Sequence, residues 1–269
     1  MTSPPSDLPA MATNPKFIFF TDFDGTITLQ DSNDYLTDTY GMGRSRRLEL
    51  GAAVLDGSLT FRSAFAQMLG SVPLPFSACT AALAQQARFD AGFVPFLRYA
   101  ADNNIPVVIL SGGMAPIISS MLHAELGSEM AEKLQVVANG VRVRDGKKDL
   151  DEEGGWEIEF RDESGFGHDK ARTIRPYAQL GEGRPVMFYA GDGVSDLSAA
   201  RETDLLFAKK GKDLVTYCVR EEVPFTVFGD WGEILEKVKA VVEGRTTVQE
   251  EAKEGLKTYH KGEAGVPVV

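Results

Sequence analysis

Cysteine is scarce in this chain. Cys79 and Cys218 are the only two among 269 residues, which excludes a disulfide framework, and with three scattered histidines (His123, His168, His260) no Cys/His zinc site can be assembled. Long apolar runs are missing as well: no segment approaches the roughly 20 apolar residues that cross a bilayer, and the opening MTSPPSDLPAMATNPK has no apolar stretch behind a basic one. Positive charge is in short supply, with 28 Lys and Arg against 39 Asp and Glu and a formal net charge of −11. Only Arg44, Arg46 and Arg47 cluster, and they read as a solvated helix face. Such a surface repels a phosphate backbone, so nucleic acid is disfavoured as a main partner. The expectation is a soluble protein of a reducing, cytoplasmic setting, with nuclear entry left open, no membrane partner and a small anionic molecule still admissible.

What is present is an α/β pattern. Phe17-Ile18-Phe19-Phe20, Pro106 to Leu110, Pro185 to Tyr189 and Asp204 to Phe207 are continuous apolar runs, as strands buried on both faces of a parallel sheet read. Helical patterns at about Ala91 to Asn103, Ala115 to Leu126, Asp169 to Leu180 and Val194 to Arg201 separate them, implying βαβ units and a Rossmann-like parallel sheet. Between the first two strands, residues 31–89 show helical periodicity only and are expected to form an inserted helical subdomain. A second insert, Val136 to Phe160, alternates around DGKKDLDEEGG and predicts a small β-hairpin. Residues 16–30 and 90–244 then form the core domain, 1–15 a flexible N-terminal tail and 245–269 a polar C-terminal tail, disordered or loosely helical.

In an open parallel sheet, ligands bind outside the carboxyl ends of the strands, and those ends carry the polar residues here. The first supplies Asp22 and Asp24, spaced to share one side of an extended segment. The second supplies Ser111 with Gly112 and Gly113, whose N–H groups at a helix start can hold a phosphate. The third supplies Asp192 and Asp196. Oxygen ligands gathered this way suit Mg²⁺. Singly, each signal has a bland explanation: Asp-Gly is a common turn, Ser-Gly-Gly a tight connection, Lys170 a surface lysine, and Asp192 and Asp196 helix caps. Four of them in order at strand ends are poorly explained that way.

DFDGTIT at Asp22–Thr28, SGG at Ser111–Gly113, Lys170 in GHDKART and GDGVSD at Gly191–Asp196 resemble the four motifs of the haloacid dehalogenase superfamily phosphatases. Within it the chain resembles the phosphoserine phosphatase-like branch with a small helical cap. FTDFDGTITLQDSNDYLTD, FGHDKART and GDGVSDLSAARETDLLFAKKGKDLVTYC are similar to fungal polyol phosphatases, and the likeness spans Lys16 to Gly244. The resemblance implies a Mg²⁺-dependent phosphomonoesterase with Asp22 as nucleophile and Asp24 as general acid/base. It assigns Asp22, Asp24 (through its carbonyl), Asp192 and Asp196 to the metal, Ser111 and Gly112 to the phosphoryl oxygens, and Lys170 to offsetting negative charge. Thr26 and Thr28 are expected to be local hydrogen-bonders.

The implied substrate is a polyol phosphate such as ribitol 5-phosphate, sorbitol 6-phosphate or glycerol 3-phosphate, with a phosphoserine or methylthioribulose-salvage phosphatase as the alternative. Asp31, Asn33 and Gln67 can hydrogen-bond hydroxyls or merely cap and cover helices. The arginine that holds a substrate carboxylate in phosphoserine enzymes has no secure counterpart, Arg62 being the nearest. A receiver-like phosphoryl-accepting module is a non-enzymatic rival, but it needs neither the helical insert nor Asp24. A non-catalytic binding protein on this fold is disfavoured because no motif carboxylate is lost.

Overall fold

The computed structural model of the protein describes residues 8–259; the outer parts of the two expected tails, 1–7 and 260–269, lie outside the described residues. The helical insert opens after β1 (Phe17–Thr21) with α1 (Ser32–Tyr40), α2 (Arg44–Leu55), α3 (Phe61–Gly70) and α4 (Phe76–Gln86). There follow α5 (Phe93–Asp102), β2 (Val107–Met114), α6 (Ala115–Leu126), α7 (Ser128–Ala131), β3 (Gln135–Val143) and β4 (Trp156–Glu159). The chain continues with α8 (Lys170–Ala178), β5 (Val186–Gly191), α9 (Leu197–Ala200), β6 (Leu205–Lys209) and α10 (Asp213–Glu221). It ends with β7 (Thr226–Phe228), α11 (Trp231–Val242), α12 (Val248–Ala252) and α13 (Glu254–Thr258). Seven strands are joined in the order β4-β3-β2-β1-β5-β6-β7, mostly parallel, with β3 and β4 antiparallel. This is the α/β architecture expected from the alternating strands and helices.

Contacts divide the chain into two compact units. Among the described residues, the first holds those up to Ile27, Phe89–Leu110 and those from Lys170 on; the second holds Thr28–Arg88 and Ser111–Asp169. In the first, β1, β5 and β6 are apolar on both faces and almost wholly buried, as a covered parallel sheet requires. Phe19 sits among Phe96, Phe188, Phe207 and Trp231 with ring centroids 4.7 to 5.9 Å away, offset and tilted as aromatic quadrupoles prefer. This packing fixes β1. Its register against β5 sets Thr21 opposite Ala190, and the Asp22 N–H donates to the Ala190 carbonyl at 2.8 Å.

Within the described residues, parts of both expected tails are docked on the rest of the chain. Leu8, Ala10 and Met11 are buried, so the expected flexible segment 1–15 is docked from Leu8 onward. After Gly244, α12 starts on a Thr247–Glu250 capping box, and the Gly255 N–H donates to the Phe225 carbonyl at 2.8 Å. Lys237 pairs with Glu251 and Glu254. A glycine contact and ion pairs make this docking, so no apolar stripe announced it. β7 was also missed, being three residues long.

In the second unit the helices and the hairpin share one core. The Trp156 indole N–H donates to the Leu74 carbonyl at 2.8 Å, its ring meets Phe76 edge-on at 5.6 Å, and the Phe76 N–H donates to the Leu150 carbonyl. The hairpin, placed with the core domain by sequence, thus packs with the helical insert. The α2 arginines do not form a uniformly solvated face. Arg47 turns inward, forking onto Asp38 at 2.7 and 2.9 Å and reaching Asp34 at 2.7 Å. Among the described residues no helix is long and apolar enough to cross a membrane.

Candidate active site

The end of β1 turns sharply. The Phe23 carbonyl accepts from the N–H groups of both Thr26 and Ile27, and Gly25 adopts φ +72°. A side chain there would be strained, and its Cβ would lie 2.3 Å from Asp192 Oδ2, so glycine is required on two counts. Asp22 Oδ1 accepts from the Phe23 N–H at 2.7 Å and faces Lys170 Nζ at 2.9 Å. Lys170, at the start of α8, is completely buried and also donates to Asp196 Oδ1 at 2.6 Å.

Asp196 is the hub. Its Oδ1 also accepts from the Tyr189 hydroxyl at 2.5 Å, and its Oδ2 accepts from the N–H groups of Asp192 and Gly193, both at 3.0 Å. Four donors occupy the two oxygens. Asp196 therefore orients Lys170 and the Asp192 loop, and with Asp22 and Asp192 it forms the carboxylate cluster that could hold a cation. Tyr189 went unnoticed in sequence. A tyrosine in an otherwise apolar strand was the available signal, because a buried hydroxyl needs a partner.

Burial acts most strongly on Asp22 and, with the charges of Asp196 and Asp192, pushes its pKa well above the usual carboxylate range; Lys170 offsets this only in part. For Lys170 burial works against the charge, but Asp196 and Asp22 prevail and raise its pKa, so it is an ammonium ion at any physiological pH. Burial and the same carboxylates raise Tyr189, keeping it a neutral donor. The cluster carries more negative than positive charge. Asp22, Asp192 and Asp196 each place an oxygen within 4.8 Å of the others, and an all-oxygen set with excess negative charge fits Mg²⁺.

If Asp22 and Asp192 hold the ion, Mg²⁺ at a hundredfold excess over Kd is expected to add about 2.7 kcal/mol of stability to the substrate-free protein. Asp192→Asn should remove most of that gain. A melting temperature indifferent to Mg²⁺ would show that these carboxylates hold no divalent ion.

Asp24 is buried within the turn, next to Asp22 in the same unit. Ser111, Gly112 and Gly113 belong to the second unit and lie within β2, which runs on to Met114; α6 starts only at Ala115. The glycines therefore do not open a helix. The Gly113 N–H is taken by Ser111 Oγ at 2.9 Å, and the Gly112 carbonyl accepts from Asn139 Nδ2 at 2.7 Å. His168 Nδ1 contacts the Ser111 carbonyl at 2.8 Å. Thr28 is a local hydrogen-bonder, donating to the Gln30 carbonyl at 2.7 Å, whereas the buried Thr26 hydroxyl has no hydrogen-bond partner.

In the helical insert, Asp31 caps α1 by accepting from the Asn33 and Asp34 N–H groups, Asn33 is buried in the first turn, and Gln67 donates to the Ser63 carbonyl of its own helix. Arg62 pairs with Glu163 at 3.2 Å, donates to the Asp162 carbonyl and lies over the Phe160 ring at 4.6 Å. It is committed to the protein. The free cysteines are buried, which pushes Cys79 up to about 11 and Cys218 to about 12, so neither is a thiolate nucleophile at neutral pH.

Residues 19–201 match the haloacid dehalogenase-like hydrolase family. The chain is similar to the polyol phosphate phosphatase PYP1 of Saccharomyces cerevisiae, with 48% identity over 87% of this chain and 98% of that protein. It is similar also to Pdp3-interacting factor 1 of Schizosaccharomyces pombe, with 49% identity over 83% of this chain and 95% of the other. A substrate-bound phosphoserine phosphatase shares the fold at a TM-score of 0.62 and 20% identity, covering 83% of this chain and 98% of that one. The chain belongs to the haloacid dehalogenase-like hydrolases and is a phosphoric monoester hydrolase.

Proposed function

We propose that this enzyme hydrolyses the phosphate ester of an acyclic sugar alcohol through an aspartyl-phosphate, with Mg²⁺ as its cofactor. The observation that supports the chemistry most is the buried Asp22 carboxylate, pinned through Oδ1 by Lys170 and the Phe23 N–H, which leaves Oδ2 for attack. Asp22 forms a bond to phosphorus as the phosphorus–oxygen bond to the alcohol breaks, and Asp24 gives the departing alkoxide its proton. Asp24 then takes a proton from water as the water oxygen attacks the aspartyl-phosphate, releasing inorganic phosphate and restoring Asp22. Mg²⁺ would be held by Asp22, Asp192 and the Asp24 carbonyl, with Asp196 completing or orienting its shell, and would neutralise charge on the phosphoryl oxygens. Ser111 and Gly112 are assigned to those oxygens on their motif.

The leaving group is argued from two sides. A relative sharing 48% of aligned residues is named for polyol phosphates. Arg62, the arginine nearest the position that would hold a substrate carboxylate, is taken up by Glu163, Asp162 and Phe160. Asp31 and Asn33 are proposed to meet substrate hydroxyls, and a site built for hydroxyls discriminates against ligands lacking them because buried polar groups go unpaired. Phosphate release with Mg²⁺ should therefore show a higher kcat/KM for ribitol, sorbitol or glycerol phosphate than for phosphoserine. A tenfold preference for phosphoserine, about 1.4 kcal/mol in the wrong direction, would overturn the substrate assignment and leave the phosphatase intact.

A further inference from the structure

The turn that carries Asp24 is held from outside at three consecutive carbonyls. Lys209 Nζ donates to the Gly25 carbonyl at 2.8 Å, the Trp231 indole N–H to the Thr26 carbonyl at 2.9 Å, and the Asp90 N–H to the Ile27 carbonyl at 2.9 Å. The last two belong to one rigid assembly. Asp90 Oδ1 accepts from the N–H groups of Gly92 and Trp231, and Trp231 is wholly buried among Phe19, Phe93 and Phe96. Lys209 is different. It is the last residue of β6, only part-buried, with its ammonium 5.8 Å from the Phe228 ring centroid, and its one hydrogen bond to the turn falls on the residue adjoining Asp24.

Gly25 is also where the turn is most tightly confined. Its α-carbon leaves no room for a methyl group on the Asp192 side, and its left-handed φ sets the direction in which the preceding residue projects. Fixing the Gly25 carbonyl therefore fixes the peptide planes on either side of that residue and, through them, the Asp24 Cα–Cβ direction. A proton donor acts only within about 3 Å of the atom it protonates, so a small rotation of this turn takes the carboxyl out of reach.

We propose that Lys209 is a positioning residue for the general acid, acting through the Gly25 carbonyl and touching neither substrate nor phosphorus. The inference rests on the reading of Asp24 as the acid. Its signature is dependence on the leaving group. A displaced acid slows the release of an alkoxide, which needs the proton, far more than that of p-nitrophenolate, which leaves without one. A lysine that merely stabilised the fold would slow both alike.

The test compares glycerol 3-phosphate with p-nitrophenyl phosphate, in Mg²⁺, for Lys209→Met, Lys209→Gln, Lys209→Arg and Asp24→Asn. Lys209→Met is expected to lower kcat/KM, which reports phosphoryl transfer to Asp22 and not the later hydrolysis that both esters share, by about 10- to 100-fold on the alkyl ester, with loss within about threefold on the nitrophenyl ester. Lys209→Arg, and to a smaller extent Lys209→Gln, should recover alkyl-ester turnover, since each can still donate to the carbonyl. Equal losses on the two esters, or no loss on the alkyl one, would overturn the proposal. If Lys209→Met does not fold, Lys209→Gln decides in the same way, because its shorter donor loosens the turn without burying a new apolar chain. Asp24→Asn separates the two layers: if it spares neither ester preferentially the acid assignment itself fails, whereas a selective loss there with a uniform loss in the Lys209 variants refutes only the role of Lys209.

Discussion

Asp22→Asn is expected to fold normally and to lose about 10⁴-fold or more of kcat, as deletion of a covalent nucleophile does elsewhere. An amide nitrogen or oxygen does not attack phosphorus at a useful rate, and the change also removes one of the three clustered carboxylates that could hold a cation. Folding should be spared because the asparagine oxygen can still accept from the Phe23 N–H and from Lys170, the two groups that engage Oδ1. Removing the charge also relieves a carboxylate that burial and its acidic neighbours already disfavour. The variant is therefore predicted to be at least as stable as the parent without metal. A single-turnover measurement with labelled substrate, trapping in acid, would detect phosphate on the parent protein and none on the variant. Retention of most turnover in a folded Asp22→Asn protein would sink the nucleophile assignment.

Lys170→Met has an equally large effect for a different reason. The ammonium ion is enclosed with Asp22 at 2.9 Å and Asp196 at 2.6 Å, and no part of it reaches solvent. Taking away one member of a buried pair leaves an uncompensated charge and costs about 3–5 kcal/mol, a large share of the 5–15 kcal/mol that holds a typical domain together. Two carboxylates are stranded here. The expected outcome is a large drop in the denaturant midpoint together with loss of turnover. The double variant Lys170→Met/Asp196→Asn should regain much of the stability and none of the activity, because the amide removes the stranded charge while Asp22 still lacks its counter-ion. A midpoint shift under about 1 kcal/mol for Lys170→Met would mean that the carboxylates are neutralised some other way.

The parts of the site that could be read from sequence are those fixed by local geometry. Apolar runs ending in acidic or glycine-rich clusters marked the strand ends, and a parallel sheet gathers such ends on one edge. Asp22, Asp192 and Asp196 meet for that reason, across β1 and β5. Residues whose roles depend on what lies opposite were not legible. Tyr189 looks like any other member of a buried strand until Asp196 faces it, and Arg62 looks available until Glu163 and Phe160 take it up. Lys209 reads as the polar end of an edge-ward strand; only the fold brings it to a carbonyl 184 positions earlier in the chain. Ser111 to Gly113 read as a connection opening a helix but continue β2, because a strand that runs on through two glycines has no signature distinguishing it from a tight connection. The C-terminal helices were hidden because their docking uses Gly255, whose added methyl would lie 2.5 Å from the Phe225 ring, together with the ion pairs of Lys237.

The pairing of β1 with β5 has a consequence for how the enzyme comes into being. The two strands that bring Asp22 and Asp192 level are about 170 residues apart in the chain, and closing so long a loop must be met in entropy before any contact rewards it. During synthesis Asp22 emerges long before β5 can slide in beside it. Helices whose contacts are local have no such delay. A refolding chain will thus regain most of its helical content while it is still catalytically silent, and the return of turnover dates the moment at which the centre of the sheet closes.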